Sequence, residues 1–341
     1  MQHEVIVIGG GIAGLQCARE LHQAGRQVLV LERARGVGGR LATRRYEGQP
    51  IDFGPMFLHG HHPAFLAALR STEGVIFPST WPRHIQGHGQ PCQPNAFEGD
   101  ERRAIFPAGL NAFAKHLATG LTIQLGTSVK RITLDAAGFT LETKTGETFQ
   151  CRELVVALAL EQALALLATL PTQPELTSIQ ALLGMFASVP SLTLLAAYPP
   201  QTTAPEWDLL YPDQSDSLQL IAQDSRKRQH PNFLTLVIQA KPGWSAQRLD
   251  LPPEVWSAEL LRLAAEQAGE WVLEPLWTAA HRWRFARVDR GNELARPILA
   301  TLKHGPRLGL AGDVFAPGGG VQAAWLSGSA LAQRMLNEVR L

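Results

Sequence analysis

The chain has 341 residues, 31 basic and 30 acidic, for a formal net charge of +1. That length allows a large core and more than one domain, and the even charge balance excludes a nucleic-acid polyelectrolyte partner and an acidic tail. Cysteines only at positions 17, 92 and 151 exclude a disulfide framework or a zinc ribbon and suit a reducing, cytoplasmic compartment.

EVIVIGG, 4–10, is a continuous apolar run, as in a strand buried on both faces. It starts so close to Met1 that no secretory leader is expected. AGLQCARELHQAG places Leu15, Ala18 and Leu21 at helical spacing and stops at Gly25; QVLVLE is a second buried strand. Together they predict a βαβ unit with parallel strands. Residues 110–120 predict an amphipathic helix, 121–135 and 138–151 antiparallel strands, and ELVVALAL another buried strand. The most apolar stretch, 181–198, is borderline in length for a membrane span and is interrupted by Pro190. It reads as a helix end, a turn at Pro190 and a buried strand, so no membrane insertion is expected. Residues 231–240 predict a strand, and 252–269 a helix with proline at its start and glycine at its end. RLGLAGD is one more buried strand, followed by a final helix over 322–339.

Both ends read as pieces of a nucleotide-binding α/β fold and the middle does not. A Rossmann-like domain made of 1–65, 104–165 and 300–341 is expected, with an α+β substrate domain of 66–103 and 166–299 inserted into it.

Gly9-x-Gly11-x-x-Gly14 lies where a strand hands over to a helix. Gly9 allows the tight turn, Gly11 lets backbone approach a pyrophosphate, and Gly14 lets helix pack on strand. The N–H groups at the helix N-terminus then bind phosphate. Glu32 ends the second strand, where a carboxylate accepts hydrogen bonds from ribose hydroxyls. The next residues, RARGVGGR, add a second phosphate contact: Gly38 and Gly39 permit close approach, and Arg40 offers a charge-assisted donor. This loop resembles that of the flavoprotein superfamily of amine oxidases, phytoene desaturases and protoporphyrinogen oxidases, whose dinucleotide is FAD. Asp313, at a strand end, is suited to ribityl hydroxyls. Gly318, Gly319 and Gly320 precede a helix whose positive end favours negative charge on the reduced flavin.

AHRWRFARV, 280–288, is similar to a signature of the renalases, especially those of bacterial type. GRLATRR, DFGPMF, FPAGLNAFAKHLA, SAQRLD after Trp244 and VQAAWLSG follow in the order found there, so the resemblance covers essentially the whole chain. It implies a glutathione-reductase-type FAD domain and FAD bound without covalent attachment. The residues expected to hold it are Gly9, Gly11, Ile12, Ala13, Gly14, Glu32, Arg33, Gly39, Arg40, Leu41, Gly54, Pro55, Met56, Val129, Gly312, Asp313, Gly320, Val321 and Ala324. It also implies hydride transfer to flavin N5 from a dihydronicotinamide isomer of NAD(P)H, with Trp244, His281, Arg282 and Trp283 at the substrate. Two departures concern the substrate: GPMFLHGHH, 54–62, replaces the Gln and Tyr usual near the flavin, and ALA, 157–159, replaces Ala-Thr-Pro.

The middle holds no second glycine triad, so the substrate is expected to meet the flavin directly in the inserted domain. No Cys lies in 318–320 to form a cysteinyl flavin. His59, His61, His62, His84, His88 and Cys92 match no standard ligand spacing, and no metal is expected. The readings that remain are an oxidase of small-molecule donors, renalase-like; an amine oxidase or a desaturase of a polyene or porphyrin; and a non-catalytic FAD-binding scaffold.

Overall fold

A computed structural model describes residues 2–77, 79–88, 97, 99–288 and 291–337. The chain forms two compact units. The first is Met1–Arg40, Phe113–Ser188 and Arg287–Leu341; the second is Leu41–Ala112 and Val189–Ala286. The boundaries differ from those expected. Residues 41–65 and 104–112 belong to the second unit, because Asp52, Phe106 and Leu110 share one buried network there. Residues 166–188 belong to the first, because Leu176, Ile179 and Leu183 pack into its core.

The first unit is built on a sheet whose main path runs Ile298–Thr301, Arg307–Leu310, Thr148–Val156, Gln2–Ile8, Val28–Leu31, Thr122–Gln124. Its central pairings are parallel, and Val5, Ile6 and Val7 have no exposed surface, as the uninterrupted apolar run requires. Two strands expected apart, over TFQC and ELVV, are one strand, Thr148–Val156. It pairs antiparallel with Phe139–Thr143 on one side and parallel with Gln2–Ile8 on the other, so it carries both patterns along one length. The helix Gly320–Asn337 comes close to Ile12–Gln23 at Gly328, where an added Cβ would stand 2.2 Å from the Ala13 carbonyl oxygen. The two chain ends that carry the glycine motifs are therefore packed together within one unit.

The second unit is built on a sheet in the order Trp277–Val288, Ser188–Tyr198, Leu234–Ala240, Leu218–Gln223, Leu209–Leu210, Ile85–Gln86. Pro190, expected in a turn, lies inside Ser188–Tyr198. It sits in the partly exposed start of that strand, before pairing with Leu234–Ala240 begins at Thr193, so its missing N–H breaks no bond of that ladder. Alternation along the strands separates two cores. Leu192, Leu194, Leu236 and Ile238 face the helix Pro253–Ala268 with the buried Trp256. Leu195, Val237 and Ala222 face Phe53, Met56, Phe57 and Trp81.

Behind the second core lie four charges. Lys227 Nζ contacts Asp52 Oδ2 at 2.8 Å and Asp224 Oδ1 at 2.5 Å, and Arg228 Nη2 contacts Asp52 at 3.0 Å and Asp224 at 2.5 Å. The side chains of Asp52, Asp224 and Lys227 have no exposed surface. Asp52 Oδ1 also accepts from Thr43 Oγ1 at 2.6 Å and Leu110 N at 2.8 Å. Burial pushes the Asp52 carboxyl up, but Lys227 and Arg228 outweigh it and hold it below the usual carboxylate range. Two cations and two carboxylates balance, so removing one cation strands a buried charge. Lys227→Met is expected to destabilise the protein by about 3–5 kcal/mol in urea titrations; a loss under about 1 kcal/mol would show that the network is relaxed by water.

Candidate active site

In the first unit the glycine triad divides its labour. An added Cβ at Gly9, where φ is +109°, would stand 2.4 Å from the Ala157 oxygen, and one at Gly14 would stand 2.1 Å from the Gly9 oxygen. Those two glycines are forced by packing. A Cβ at Gly11 would meet nothing within 4 Å, so the backbone there opens onto free space at the N-terminus of Ile12–Gln23, a helix with no side-chain cap. That open, uncapped end suits a phosphate group. Ile12 and Ala13 are buried behind it.

Glu32 is 7% exposed, with Oε2 accepting from Gly10 N and Oε1 from Ala34 N, both at 2.7 Å. Each oxygen keeps a further lone pair, so the carboxylate is aimed by backbone and remains competent toward a ribose. The loop that follows folds back on the glycine turn: Gly38 N donates to Gly10 O at 2.8 Å, and Gly39 lies against Gly11. Arg33 extends instead to the Gln162 amide, whose oxygen, so oriented, accepts from Nη1 at 2.8 Å.

Arg40 and Asp313, expected to hold pyrophosphate and ribityl separately, hold each other. Arg40 Nη1 and Nη2 meet the two Asp313 oxygens at 2.8 and 2.6 Å, with the side chains 35% and 13% exposed. A fork-to-fork pair is the cheapest way to place both charges in a partly desolvated cleft. Gly312 N donates to Ser327 Oγ at 3.1 Å, which ties Asp313 to the final helix. Gly318, Gly319 and Gly320 all have positive φ, +87°, +61° and +73°, a run that only glycine adopts without strain. It delivers the chain to the N-terminus of Gly320–Asn337, with Val321 and Ala324 in its first turns. Val129 starts the strand Val129–Leu134 and packs, partly buried, against the first unit's core. Two helix N-termini, two placed carboxylates and an arginine fit a dinucleotide with a pyrophosphate and two polyols. The donor set suits FAD.

In the second unit, His281 and Trp283 stand on one face of their strand with Phe53. His281 lies edge-on to Phe53 at 4.8 Å and to Trp283 at 4.1 Å; Phe53 and Trp283 stack at 5.4 Å and 24°. Burial, then the Arg44 charge, lowers the His281 imidazole to about 4, so it is neutral near pH 7. Arg44, which the sequence reading passed over, places its guanidinium 5.8 Å from the Phe53 ring centre. Leu41 is buried at the start of this unit, and Gly54 and Pro55 are partly exposed while Met56 is buried. Two expected members are elsewhere. Arg282, one residue on, faces the other side of the strand and donates to Leu251 O at 2.7 Å. Trp244 is buried in the helix-side core with Arg248 over its ring at 4.3 Å. The place of Arg282 follows from the two-residue period of its strand, and that of Trp244 from the helix Pro242–Arg248, which packs it into the core.

Of the histidines weighed for metal, His59 and His61 both direct Nδ1 to Glu101, at 3.1 and 3.0 Å. Cys92 lies outside the described residues.

The family model for flavin containing amine oxidoreductases matches residues 12–85 and 92–336. Curated relatives match over short stretches. A putative flavin-containing monoamine oxidase of Mycobacterium tuberculosis is 44% identical over 84 residues, 25% of this chain and 18% of that protein. (S)-6-hydroxynicotine oxidase of Paenarthrobacter nicotinovorans is 41% identical over 71 residues, 20% of this chain and 17% of that protein. The chain thus covers under a fifth of these relatives' lengths. Among solved structures, putative protoporphyrinogen oxidase from Exiguobacterium superposes over 98% of this chain and 99% of its own, with a TM-score of 0.72 at 16% identity. A putrescine oxidase variant covers 99% of both chains with a TM-score of 0.73 at 13% identity. With the family model matched over nearly its whole length, the chain belongs to the flavin-containing amine oxidoreductases, FAD-dependent enzymes.

Proposed function

We propose that this oxidoreductase takes a hydride from a planar, uncharged or anionic donor of the dihydronicotinamide class, a renalase-like reaction. The observation that carries this reading is the aromatic face of Phe53, His281 and Trp283, where, among the described residues, the charge acting on His281 is that of Arg44. An amine at neutral pH is a cation and meets a like charge there; after solvent screening the repulsion is on the order of 1 kcal/mol. A phosphate-bearing dihydropyridine meets an attractive charge and flat rings for offset stacking.

When bound, FAD would supply the electron sink, an acceptor for hydride at N5. The chain's part is placement. The aromatic face holds the donor ring flat, and hydride transfer needs its carbon within about 3–3.5 Å of the acceptor. The donor's C–H bond breaks and its electron pair leaves with the hydrogen, which makes the ring aromatic and cationic. No protein base is required. His281, neutral, serves as a hydrogen-bond partner and not as an acid. Glu32 and the Gly11 turn are assigned to the ribose and pyrophosphate. The FAD is held without a covalent bond.

Amine oxidation is the second reading, favoured by the names of the curated relatives. Anaerobic mixing separates the two. Dihydronicotinamide isomers are expected to bleach the flavin band at a rate flat between pH 6 and 9. Bleaching by primary amines alone, with a rate that rises with pH as the neutral amine accumulates, would replace this reading with amine oxidation. No bleaching by either would favour a desaturase or a scaffold.

Denaturation is expected to release all the flavin as FAD, and Glu32→Ala to purify with much less of it, since a charged hydrogen bond contributes about 1.5–3 kcal/mol. Full FAD content in that variant would remove Glu32 from the site.

Stability follows from His281. Its pKa is lowered on folding, so between pH 6.5 and about 4 the unfolded chain binds the extra proton. Stability from this group is present above pH 6.5 and is lost as pH falls through that window. The melting temperature of His281→Gln should therefore drop less than that of the wild type between pH 7 and pH 5; parallel drops would mean that the imidazole is solvated.

A further inference from the structure

The first unit holds an open cavity of about 890 Å³ at the end of its sheet away from the Gly9 turn. His3, Glu4, Arg26, Arg152, Glu153 and Arg307 line it, all within that one unit. His3 stands near the start of Gln2–Ile8 and Gly9 follows its end, so at about 3.3 Å per residue the two lie about 20 Å apart. The cavity is therefore separate from the phosphate turn, and the proposed hydride transfer makes no use of it.

The charged side chains around it pair unevenly. Arg26 bonds Glu4, and its Nη2 donates to Glu153 Oε1 at 2.8 Å. Arg307 Nη2 donates to the same Oε1 at 2.7 Å and to Met335 O at 3.1 Å. Two guanidinium groups thus crowd one carboxylate oxygen. Among the described residues, the other oxygen, Glu153 Oε2, accepts no hydrogen bond and Arg307 Nη1 donates none, although both atoms are buried. A network serving stability alone would close as two parallel bonds between guanidinium and carboxylate, which leaves neither group open. A buried donor and a buried acceptor left open each cost free energy. Arg152 adds a third guanidinium and, among the described residues, has neither a hydrogen bond nor an ion pair. Its Nη2 lies over Gly305, 3.7 Å from where a Cβ would stand, so the missing side chain leaves room for it at the cavity.

Charge decides what fills such a place. Arg26, Arg152 and Arg307 face Glu4 and Glu153, an excess of one positive charge. The helices Ile12–Gln23 and Gly320–Asn337 both end beside the cavity, with Ala24 and Asn337 in its wall, and helix C-termini carry partial negative charge. The two contributions offset each other, so neither a bare anion nor a bare cation is favoured. The open groups are of both kinds: guanidinium N–H on Arg152 and Arg307, and a carboxylate oxygen on Glu153. Because Arg307 and Glu153 are bonded to each other, their open atoms are close neighbours, within the span of one small molecule that carries both charges. We propose that this cavity binds a small zwitterion of the amino-acid class, its carboxylate taken by Arg152 and Arg307 Nη1 and its ammonium by Glu153 Oε2.

The test is titration calorimetry on the FAD-loaded protein, carried out without oxygen so that turnover adds no heat. The probes are L-alanine, propionate and isopropylamine, which are alike in size and differ in which charges they carry. L-Alanine is expected to bind, and propionate and isopropylamine to bind about tenfold more weakly or less, since each leaves a charged group of the cavity without its partner. Arg152→Gln is expected to weaken L-alanine about tenfold, the equivalent of one hydrogen bond to a charged group. The side chain is exposed and makes no bond to the described residues, so the ligand-free melting temperature should stay at the wild-type value. No binding of L-alanine at tens of millimolar would overturn the proposal, and so would propionate or isopropylamine binding as tightly as L-alanine. L-Alanine bound equally by Arg152→Gln and the wild type would place it elsewhere, at the aromatic face for instance, and would overturn the proposal as well.

Discussion

The second unit depends on placing two lysine and arginine charges where water does not reach. Asp52 and Asp224 make this tolerable, and the geometry of their pairing with Lys227 and Arg228 fixes segments far apart in sequence. Asp52 closes the hairpin Thr43–Tyr46/Gln49–Asp52 and begins the turn that carries Phe53. Lys227 reaches past Asp52 to the Met56 carbonyl, and Arg228 Nη1 donates to Phe106 O at 3.0 Å. A buried charge without its partner is worth several kcal/mol of instability, far more than a neutral hydrogen bond at about 1 kcal/mol. The network therefore decides where the hairpin, the turn and the aromatic face stand, and weaker contacts conform to it.

The first unit solves a different problem with different means. It uses close backbone approach: Gly14 against the Gly9 oxygen, Gly328 against Ala13, and Gly38 bonded to Gly10. These contacts set two helix N-termini and the Glu32 carboxylate at strand ends. Binding of a doubly charged pyrophosphate then draws on N–H groups already oriented. The Arg40–Asp313 pair means that a ligand approaching either side chain encounters a pre-neutralised fork rather than a bare charge.

This contrast explains what the sequence could reveal. The glycine triad, Glu32, the 36–40 loop and the 318–320 run are legible because each need is local: a turn, a close contact, a strand end. The buried network is not. DSRKR, 224–228, is indistinguishable in composition from a solvated charged turn, and its partner Asp52 lies more than 170 residues away. Arg44 carries no signal of its own for the same reason, since only the folded hairpin gives it neighbours. Arg282 and Trp244 are joined to His281 by the family resemblance alone, and the fold places both away from it. On the strand Trp277–Val288 the alternation of side chains puts Arg282 on the face opposite His281 and Trp283.

In the proposed reaction, an aromatic face with a neutral imidazole and an arginine nearby disfavours a cation and supports a flat ring with a negative tail. Loss of hydride from such a ring needs no proton to be removed first, which matches a site whose histidine is held neutral. The most direct measurement is a crystal structure of the FAD-loaded protein with nicotinamide mononucleotide. The account predicts the nicotinamide ring against Phe53, His281 and Trp283, with its phosphate toward Arg44. A ring bound away from these residues, or a phosphate turned from Arg44, would contradict it.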